Sequence, residues 1–469
     1  MAEQYDLLVL GAGPGGYVAA IHGAHLGRRV AVVEAREVGG TCLNRGCIPT
    51  KALLHTGELL HTLRDSGAVG VAVQGVALDH AAMHAHKEDV MARLRTGVEE
   101  LFKANGIDLI RGRGVLEAPG RVRVGETVYQ ADRVLLATGS QPERPPVPGL
   151  DLPGVVTSDE LLGQDGPPPE QLCILGGGVI GVEMATAFEA LGSRVTILEA
   201  QGRILPTLDR ELSQSLTMSL RQRGVTIHTA ALLERVEQTP EGLLCHGTVK
   251  GEPLQLGTSQ LLVATGRRAV TRGLLGPGLD LQLDRGRIPV DEQLRTVLPG
   301  VYAVGDVTLG SSQLAHEASA QGVNAVSMMF GHRPPYRLEV IPACLYTQPE
   351  IATVGLDPQG AKDRGIPVTA GKYLMAGNGK TMIVRGERGF VRLVFHRDTQ
   401  VLLGAQLCCQ RATDLIGGLA TAVAQGLTRE QLGETVFPHP TFSEGIAEAV
   451  EQADGGSIHT LPQGRPRRP

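Results

Sequence analysis

Asp6-Leu7-Leu8-Val9-Leu10-Gly11-Ala12-Gly13-Pro14-Gly15-Gly16 decides the architecture at the start of the chain. The apolar run reads as a buried strand, and Gly11, Gly13 and Gly16 fit the G-x-G-x-x-G spacing that turns a strand into a helix. That helix is predicted through Tyr17-Val18-Ala19-Ala20-Ile21, and a second strand, Arg29-Val30-Ala31-Val32-Val33, ends in Glu34. Each part has a physical task. The first glycine permits the tight turn, the second lets backbone approach a pyrophosphate, and the third lets helix and strand pack closely. The pyrophosphate would rest on the helix N-terminus, and Glu34 would accept the hydroxyls of a ribose. A glycine pattern alone is weak in a chain with 62 Gly; strand, glycines, helix, strand and acid in order are strong.

The pattern occurs twice. Gln171-Leu172-Cys173-Ile174-Leu175 leads into Gly176, Gly178 and Gly181, and the strand Arg194-Val195-Thr196-Ile197-Leu198 ends in Glu199. From first glycine to acid is 23 positions in both copies, Gly11 to Glu34 and Gly176 to Glu199. Independent accidents would not share that spacing, so the expected fold is α/β with two related dinucleotide-binding domains. Each copy is followed by a strand ending in Ala-Thr-Gly, one at Thr138-Gly139 and one at Thr265-Gly266. Glu199 favours NAD, because a carboxylate accepts the 2′-hydroxyl and repels a 2′-phosphate. Arg203, close by, is the basic residue that would suit NADP.

Between the copies lies Gly39-Gly40-Thr41-Cys42-Leu43-Asn44-Arg45-Gly46-Cys47-Ile48-Pro49-Thr50-Lys51. A bridge from Cys42 to Cys47 would close a very short loop and constrain the unfolded chain little. The pair is better explained as a dithiol that is oxidised and reduced than as a staple. Cys42 to Leu54 is expected to begin a helix, whose N-terminus would lower at least one thiol pKa.

Bulk properties narrow the class. A chain of 469 residues fits three or four domains. A net charge of −5 with no basic stripe argues against nucleic acid as a partner. The basic tail Arg465-Pro466-Arg467-Arg468 is expected to be a loose end. No apolar stretch reaches membrane length, and Glu3 and Asp6 do not suit a signal peptide. Seven cysteines, an odd number, suit a reducing, cytoplasmic setting, where a disulfide is usually catalytic. Cys173, Cys245, Cys344, Cys408 and Cys409 read as packing residues, and no Cys/His group has metal-site spacing.

With these motifs in view the chain resembles the flavin-dependent pyridine nucleotide-disulfide oxidoreductases, from about residue 5 to about residue 455. The segment Cys42 to Lys51 is close to the family's active-site helix. Tyr302-Ala303-Val304-Gly305-Asp306 resembles its second flavin contact, and Leu314-Ala315-His316-Glu317 the helix that follows. Ile341-Pro342 through Pro349-Glu350 resembles the start of an interface domain. His439-Pro440-Thr441-Phe442-Ser443-Glu444 matches the catalytic histidine segment, with Phe437 where the family often carries another histidine. The resemblance implies FAD on the first fingerprint and NAD on the second, with Asp306 on the ribityl chain. It implies Cys42 as interchange thiol, Cys47 as the thiolate held against the flavin, and Lys51 with Glu183 near the flavin N5. Glu183 otherwise reads as a solvent-facing helix charge. His439 is implied as general base, oriented by Glu444 and reaching the cysteines of a partner subunit in a homodimer.

The organisation implied is an FAD-binding domain over 1–149 with a polar helical excursion near Asp79 to Lys103. An NAD-binding domain over 150–269 follows, then a segment over 270–340 that completes the FAD side. An α+β interface domain over 341–457 and a loose tail over 458–469 end the chain. Within the family the closest branch oxidises dihydrolipoamide, with the lipoyl domain of a 2-oxoacid dehydrogenase or glycine cleavage complex as carrier. The alternative is reduction of another disulfide or of a metal ion by NAD(P)H; Glu199, and the lack of a C-terminal cysteine pair, weigh against it.

Overall fold

The computed structural model describes residues 4–461. The basic run Arg465–Arg468 and most of the expected loose tail lie outside the described residues. Two compact units form. The first holds the chain through Pro169, then Arg235–Leu243 and Ser259–Leu338; the second holds Glu170–Glu234, Leu244–Thr258 and the described chain from Glu339 on.

The first unit begins β1 (Gln4–Leu10), α1 (Pro14–His25), β2 (Val30–Glu34). Two helices follow, α2 (Gly40–Arg45) and α3 (Cys47–Asp65), and then the long α4 (His80–Ala104), capped by Asp79. The sheet is completed by β3 (Asp108–Arg111), β4 (Gly114–Ala118), β5 (Arg121–Val124) and β6 (Thr127–Leu136), in the order β3-β2-β1-β6-β5-β4. β1 runs parallel to β2 and β6, and the strand Val301–Ala303 pairs parallel with the end of β6. Both faces of the central strands are covered, which is why they read as continuous apolar runs rather than as alternation. Leu7, Val9, Val30 and Val32 enter one core with Val326 and Met329; Leu8, Leu10, Ala31 and Val33 enter the other with Leu116 and Ile288. Helix α1 and the helix Ala315–Met329 approach closely: a Cβ on Gly322 would lie 2.5 Å from the Gly15 carbonyl oxygen.

In the second unit the strand Gln171–Leu175, the helix Val179–Ala190 and the strand Arg194–Glu199 repeat that opening, with Thr226–Thr229 as the next parallel strand. Its C-terminal part is an antiparallel five-stranded sheet. Helices Ala412–Gln425 and Glu444–Ala453 cover it through Ile416, Leu419, Ile446 and Val450. Ile458 and His459 are bonded to the last helix, the Ile458 N–H donating to Glu451 at 3.0 Å and His459 paired with Glu448 at 2.6 Å. No described helix is long and apolar enough to cross a membrane.

An ion network joins the helix Arg210–Gln222 to the antiparallel sheet within this unit. Arg392, buried, sits 3.2 Å from Asp209 and also pairs with Glu211, which Lys372 shares. Breaking a buried pair by removing one partner is far costlier than replacing both. Arg392→Ala should therefore destabilise this unit by about 3 kcal/mol, the low end for a buried pair, because Glu211 is partly solvated. Thermal unfolding followed by far-UV circular dichroism measures it, and an unchanged midpoint would show that the network holds nothing.

Candidate active site

The two glycine turns are built alike. Gly11 has φ +104°, a conformation that side chains resist, and a Cβ there would meet the Ala137 carbonyl oxygen at 2.3 Å. A Cβ on Gly16 would lie 1.8 Å from the Gly11 carbonyl oxygen, and one on Gly181 would lie 2.0 Å from that of Gly176. The middle glycines are open. Nothing lies within 4 Å of a Cβ built on Gly178, and Gly13 meets only the Gly40 Cα at 3.9 Å. Two tight glycines and one open one make a cradle that fits a pyrophosphate over the helix N-terminus. Pro14, the first residue of α1, costs the helix nothing there, since its missing N–H has no intrahelical partner.

The acids repeat the symmetry. Glu34, buried, accepts the Ala12 N–H and the Arg36 N–H, each at 2.7 Å. Glu199, also buried, accepts the Gly177 N–H at 2.7 Å and the Gln201 N–H at 2.6 Å. Each carboxylate is fixed by one backbone donor per oxygen and keeps acceptor capacity for a ribose diol. One guanidinium nitrogen of Arg203 donates to the Pro206 and Leu208 carbonyls at 2.8 and 3.0 Å.

The cysteine segment is laid against the first turn. The Gly39 N–H donates to the Ala12 carbonyl at 2.8 Å, and Gly40 comes so close that a Cβ would stand 2.7 Å from the Gly13 Cα. Here the structure corrects the expectation of one helix beginning at Cys42. Cys42 lies inside the short α2, the chain breaks at Gly46 (φ −140°, ψ −107°), and Cys47 opens α3. Glycine suits the break, since a Cβ at Gly46 would crowd the Thr41 carbonyl oxygen at 3.1 Å. Cys47 therefore holds the helix N-terminal position, where the dipole favours a thiolate. Both thiols are reduced and partly exposed. The hydrogen bond to Cys47, with burial, pushes the Cys42 thiol well above its usual range, against the pull of the Lys51 ammonium. Of the reduced pair, Cys42 is the thiol that holds its proton.

Further residues of the first unit converge beside it. The Thr138 hydroxyl donates to the Val270 carbonyl at 2.7 Å, and Gly139 carries a positive φ of +69°. Ser140, next along, donates its hydroxyl to Asp306 at 2.5 Å and accepts the Arg267 guanidinium at 2.7 Å. Arg267 also donates to the Ser140 carbonyl at 2.8 Å and to the Thr41 hydroxyl at 3.5 Å, and stands 3.8 Å from Asp159. Burial pushes the Asp159 carboxyl up despite Arg267, Arg45 and Arg36. Sequence reasoning missed Ser140, Arg267 and Asp159. A signal existed for two of them, since Ser140 and Arg267 are the residues that directly follow the two Ala-Thr-Gly strand ends. Gly305 donates its N–H to Gln321 at 2.7 Å, which seats Asp306, and Ala315 and His316 open the helix whose N-terminus follows.

Glu183, Gly266 and the histidine complete the expected set. Glu183 is not a solvent-facing charge. It is buried and accepts the Tyr346 N–H at 2.9 Å. Gly266 has φ +143° at the strand end before Arg267. His439, exposed, bonds through Nδ1 to Glu444 at 2.8 Å, and the other Glu444 oxygen accepts the Thr441 N–H at 2.8 Å. Burial would raise Glu444, yet the Thr441 N–H and the imidazole hold it below the usual carboxylate range. A carboxylate on Nδ1 fixes the tautomer that leaves Nε2 to accept a proton. Phe437 packs under this segment into the core of the antiparallel sheet. The cysteine pair belongs to the first unit and the His439–Glu444 pair to the second.

Comparison with known proteins agrees with this geometry. Residues 5–322 match the family model described as pyridine nucleotide-disulphide oxidoreductase, and residues 341–450 match the dimerisation domain of the same family. The chain is 38% identical to a dihydrolipoyl dehydrogenase of Bacillus subtilis, covering 98% of this chain and 100% of that protein. It is 39% identical to the dihydrolipoyl dehydrogenase of Chlorobaculum tepidum, over 97% of this chain and 98% of the other. Among solved structures, LpdA from Mycobacterium tuberculosis is similar with a TM-score of 0.87 at 28% identity, covering 96% of this chain and 99% of that one. The Cu(II) complex of the HOCl-induced flavoprotein disulfide reductase RclA from Escherichia coli has a TM-score of 0.85 at 29% identity, over 95% and 99%.

Proposed function

The chain belongs to the pyridine nucleotide-disulphide oxidoreductase family, and from that premise we propose that it oxidises dihydrolipoamide to lipoamide with NAD, the reaction for which its relatives are named. The observation that carries the chemistry is the Cys42–Cys47 pair: two thiols in hydrogen-bond contact, one opening a helix, laid on a dinucleotide turn. FAD, when bound, supplies the two-electron acceptor that links a dithiol to a nicotinamide. Gly11, Gly13, Gly16 and Glu34 would hold its pyrophosphate and ribose. Asp306, positioned by Ser140, would hold the ribityl hydroxyls, with Thr41, Thr138, Gly139, Ala315 and His316 around it and Lys51 and Glu183 at the ring. Gly176, Gly178, Gly181, Glu199 and Gly266 would hold NAD.

The residues then divide the work. His439 takes the proton of one substrate thiol at Nε2, and Glu444 stabilises the imidazolium that results. The substrate thiolate attacks the Cys42 sulfur of the oxidised pair, and Cys47 leaves as a thiolate at the positive end of α3. The second substrate thiol gives its proton to His439 as its sulfur displaces Cys42, which takes up the first proton from the same imidazole, and lipoamide closes. In this reading the base is His439 of the partner subunit, so the protein works as a homodimer built on its dimerisation domain. The substrate arrives on the lipoyl domain of a 2-oxoacid dehydrogenase or glycine cleavage complex, and the site is cytoplasmic. Residues 1–149 and 270–340 serve FAD, 150–269 NAD, and 341–457 the interface.

Purified protein should be yellow and should reduce NAD with dihydrolipoamide, and much less NADP, because Glu199 meets the 2′-position. His439→Gln should slow turnover by about a hundredfold to ten-thousandfold. Flavin-loaded protein inert with dihydrolipoamide but active on a glutathione-type disulfide or Cu(II) would overturn the substrate assignment.

A further inference from the structure

Ser140–Pro142 and Arg267–Ala269, the short strands that follow the two Ala-Thr-Gly ends, pair antiparallel within the first unit, with Arg267 opposite Pro142 and Ala269 opposite Ser140. Alternate residues of a strand share a face, so the long Arg267 side chain folds back along the ribbon over Ser140. The ribbon closes without that side chain. The Val270 N–H donates to the Gly139 carbonyl at 2.9 Å, the Glu143 N–H to the Gly266 carbonyl at 3.1 Å, and the Thr138 hydroxyl to the Val270 carbonyl at 2.7 Å. Arg267, its side chain only 10% exposed, instead aims Nε at the Ser140 hydroxyl oxygen, 2.7 Å away, and Nη2 at the Ser140 carbonyl, 2.8 Å away.

The direction of the next bond is forced. A guanidinium can only donate and an ionised carboxylate can only accept, so the one Ser140 O–H points to Asp306 Oδ2, at 2.5 Å. Arg287 donates to the Asp306 carbonyl at 3.2 Å and leaves the carboxylate to Ser140. We infer that Arg267 is a positioning residue for the flavin, fixing Asp306 through Ser140 so that the second carboxylate oxygen is set to take a ribityl hydroxyl, which rests on the reading of Asp306 as the ribityl acid. A hydroxyl that accepts from a cation also donates more strongly, so loss of Arg267 weakens the Ser140–Asp306 bond as well as its direction. The same guanidinium stands 3.8 Å from Asp159 and reaches the Thr41 hydroxyl, beside Cys42, at 3.5 Å. Pairing with Asp159 needs only a positive charge; the grip on Ser140 needs the planar fork.

That difference supplies the test. FAD release from the full-length holoprotein is followed by the recovery of flavin fluorescence on dilution. Arg267→Gln and Ser140→Ala should each speed release about tenfold, as the loss of one well-placed hydrogen bond does. Both act through one chain, so the double substitution should release FAD no faster than the quicker single one, whereas independent effects would multiply to about a hundredfold. Arg267→Lys keeps the charge beside Asp159, so its thermal midpoint should match that of the unsubstituted protein. Its ammonium cannot span the Ser140 hydroxyl and carbonyl together, so FAD should leave as fast as from Arg267→Gln. Unchanged release in Arg267→Gln, multiplied effects in the double substitution, or normal retention in Arg267→Lys would each overturn the inference. Should Arg267→Gln not fold, Arg267→Lys with Ser140→Ala completes the same cycle. Asp306→Asn keeps the two readings apart: if it holds FAD as firmly as the unsubstituted protein, the ribityl assignment falls and takes the role of Arg267 with it. Fast release from Asp306→Asn beside unchanged release from Arg267→Gln sinks only the role of Arg267.

Discussion

Replacing Cys47 by serine should leave a yellow protein that takes up only the electron pair of its flavin and turns over dihydrolipoamide at least about a thousandfold more slowly. The break at Gly46 makes Cys47 the first residue of α3, where unpartnered N–H groups and the helix dipole favour a sulfur anion, while Cys42 sits inside α2 with its proton held. A serine at 47 cannot form the disulfide, so Cys42 stays a thiol and dihydrolipoamide finds no S–S bond to exchange with. Anaerobic reductive titration reads this directly. The unsubstituted chain should accept one electron pair more than Cys47→Ser does, the extra pair going to the dithiol. Cys42→Ser should be equally inactive yet keep a reactive thiol at Cys47, so alkylation with iodoacetamide should separate the two variants. If Cys47→Ser accepts as many electrons as the unsubstituted chain, the dithiol is not where the second pair goes.

The parts legible in the sequence were those set by local rules. A strand, a glycine turn and an acid at fixed distance are a nearest-neighbour pattern, and the structure reproduces it twice down to matching backbone bonds at Glu34 and Glu199. The helix start was misplaced although a signal was present. Pro49 is comfortable only in a first turn, where its absent N–H goes unmissed, and that puts the start at Cys47 rather than Cys42. Glu183 was ambiguous for another reason: whether a helix residue faces solvent depends on what packs on it, and the Tyr346 N–H comes from far along the chain. The same holds for the Arg267–Ser140–Asp306 chain, whose members are distant in sequence, and no periodicity encodes such meetings.

The duplication itself makes the strongest test, because equivalent substitutions in the two turns should have different consequences. In each turn the third glycine lies under the carbonyl of the first, and a methyl group would overlap it at 1.8 Å for Gly16 and 2.0 Å for Gly181. Neither oxygen belongs to a flexible side chain, so the turn must open or the helix must lift. The two turns differ in what is tied to them. The Gly39 N–H is bonded to Ala12, and the Gly40 backbone abuts Gly13, so opening that turn also drags the cysteine segment. Gly16→Ala should therefore give colourless protein without dithiol turnover. Gly181→Ala disturbs a turn that carries no cysteine segment, and should keep the flavin while weakening NAD at least about tenfold, the effect of roughly 1.4 kcal/mol lost from binding. Absorbance at the flavin band, with dihydrolipoamide oxidation by ferricyanide and by NAD measured in parallel, separates the cases. Gly181→Ala should pass electrons to ferricyanide at close to the normal rate and fail with NAD. A colourless Gly181→Ala beside a yellow, NAD-deficient Gly16→Ala would mean that the assignment of the two nucleotides to the two turns is reversed.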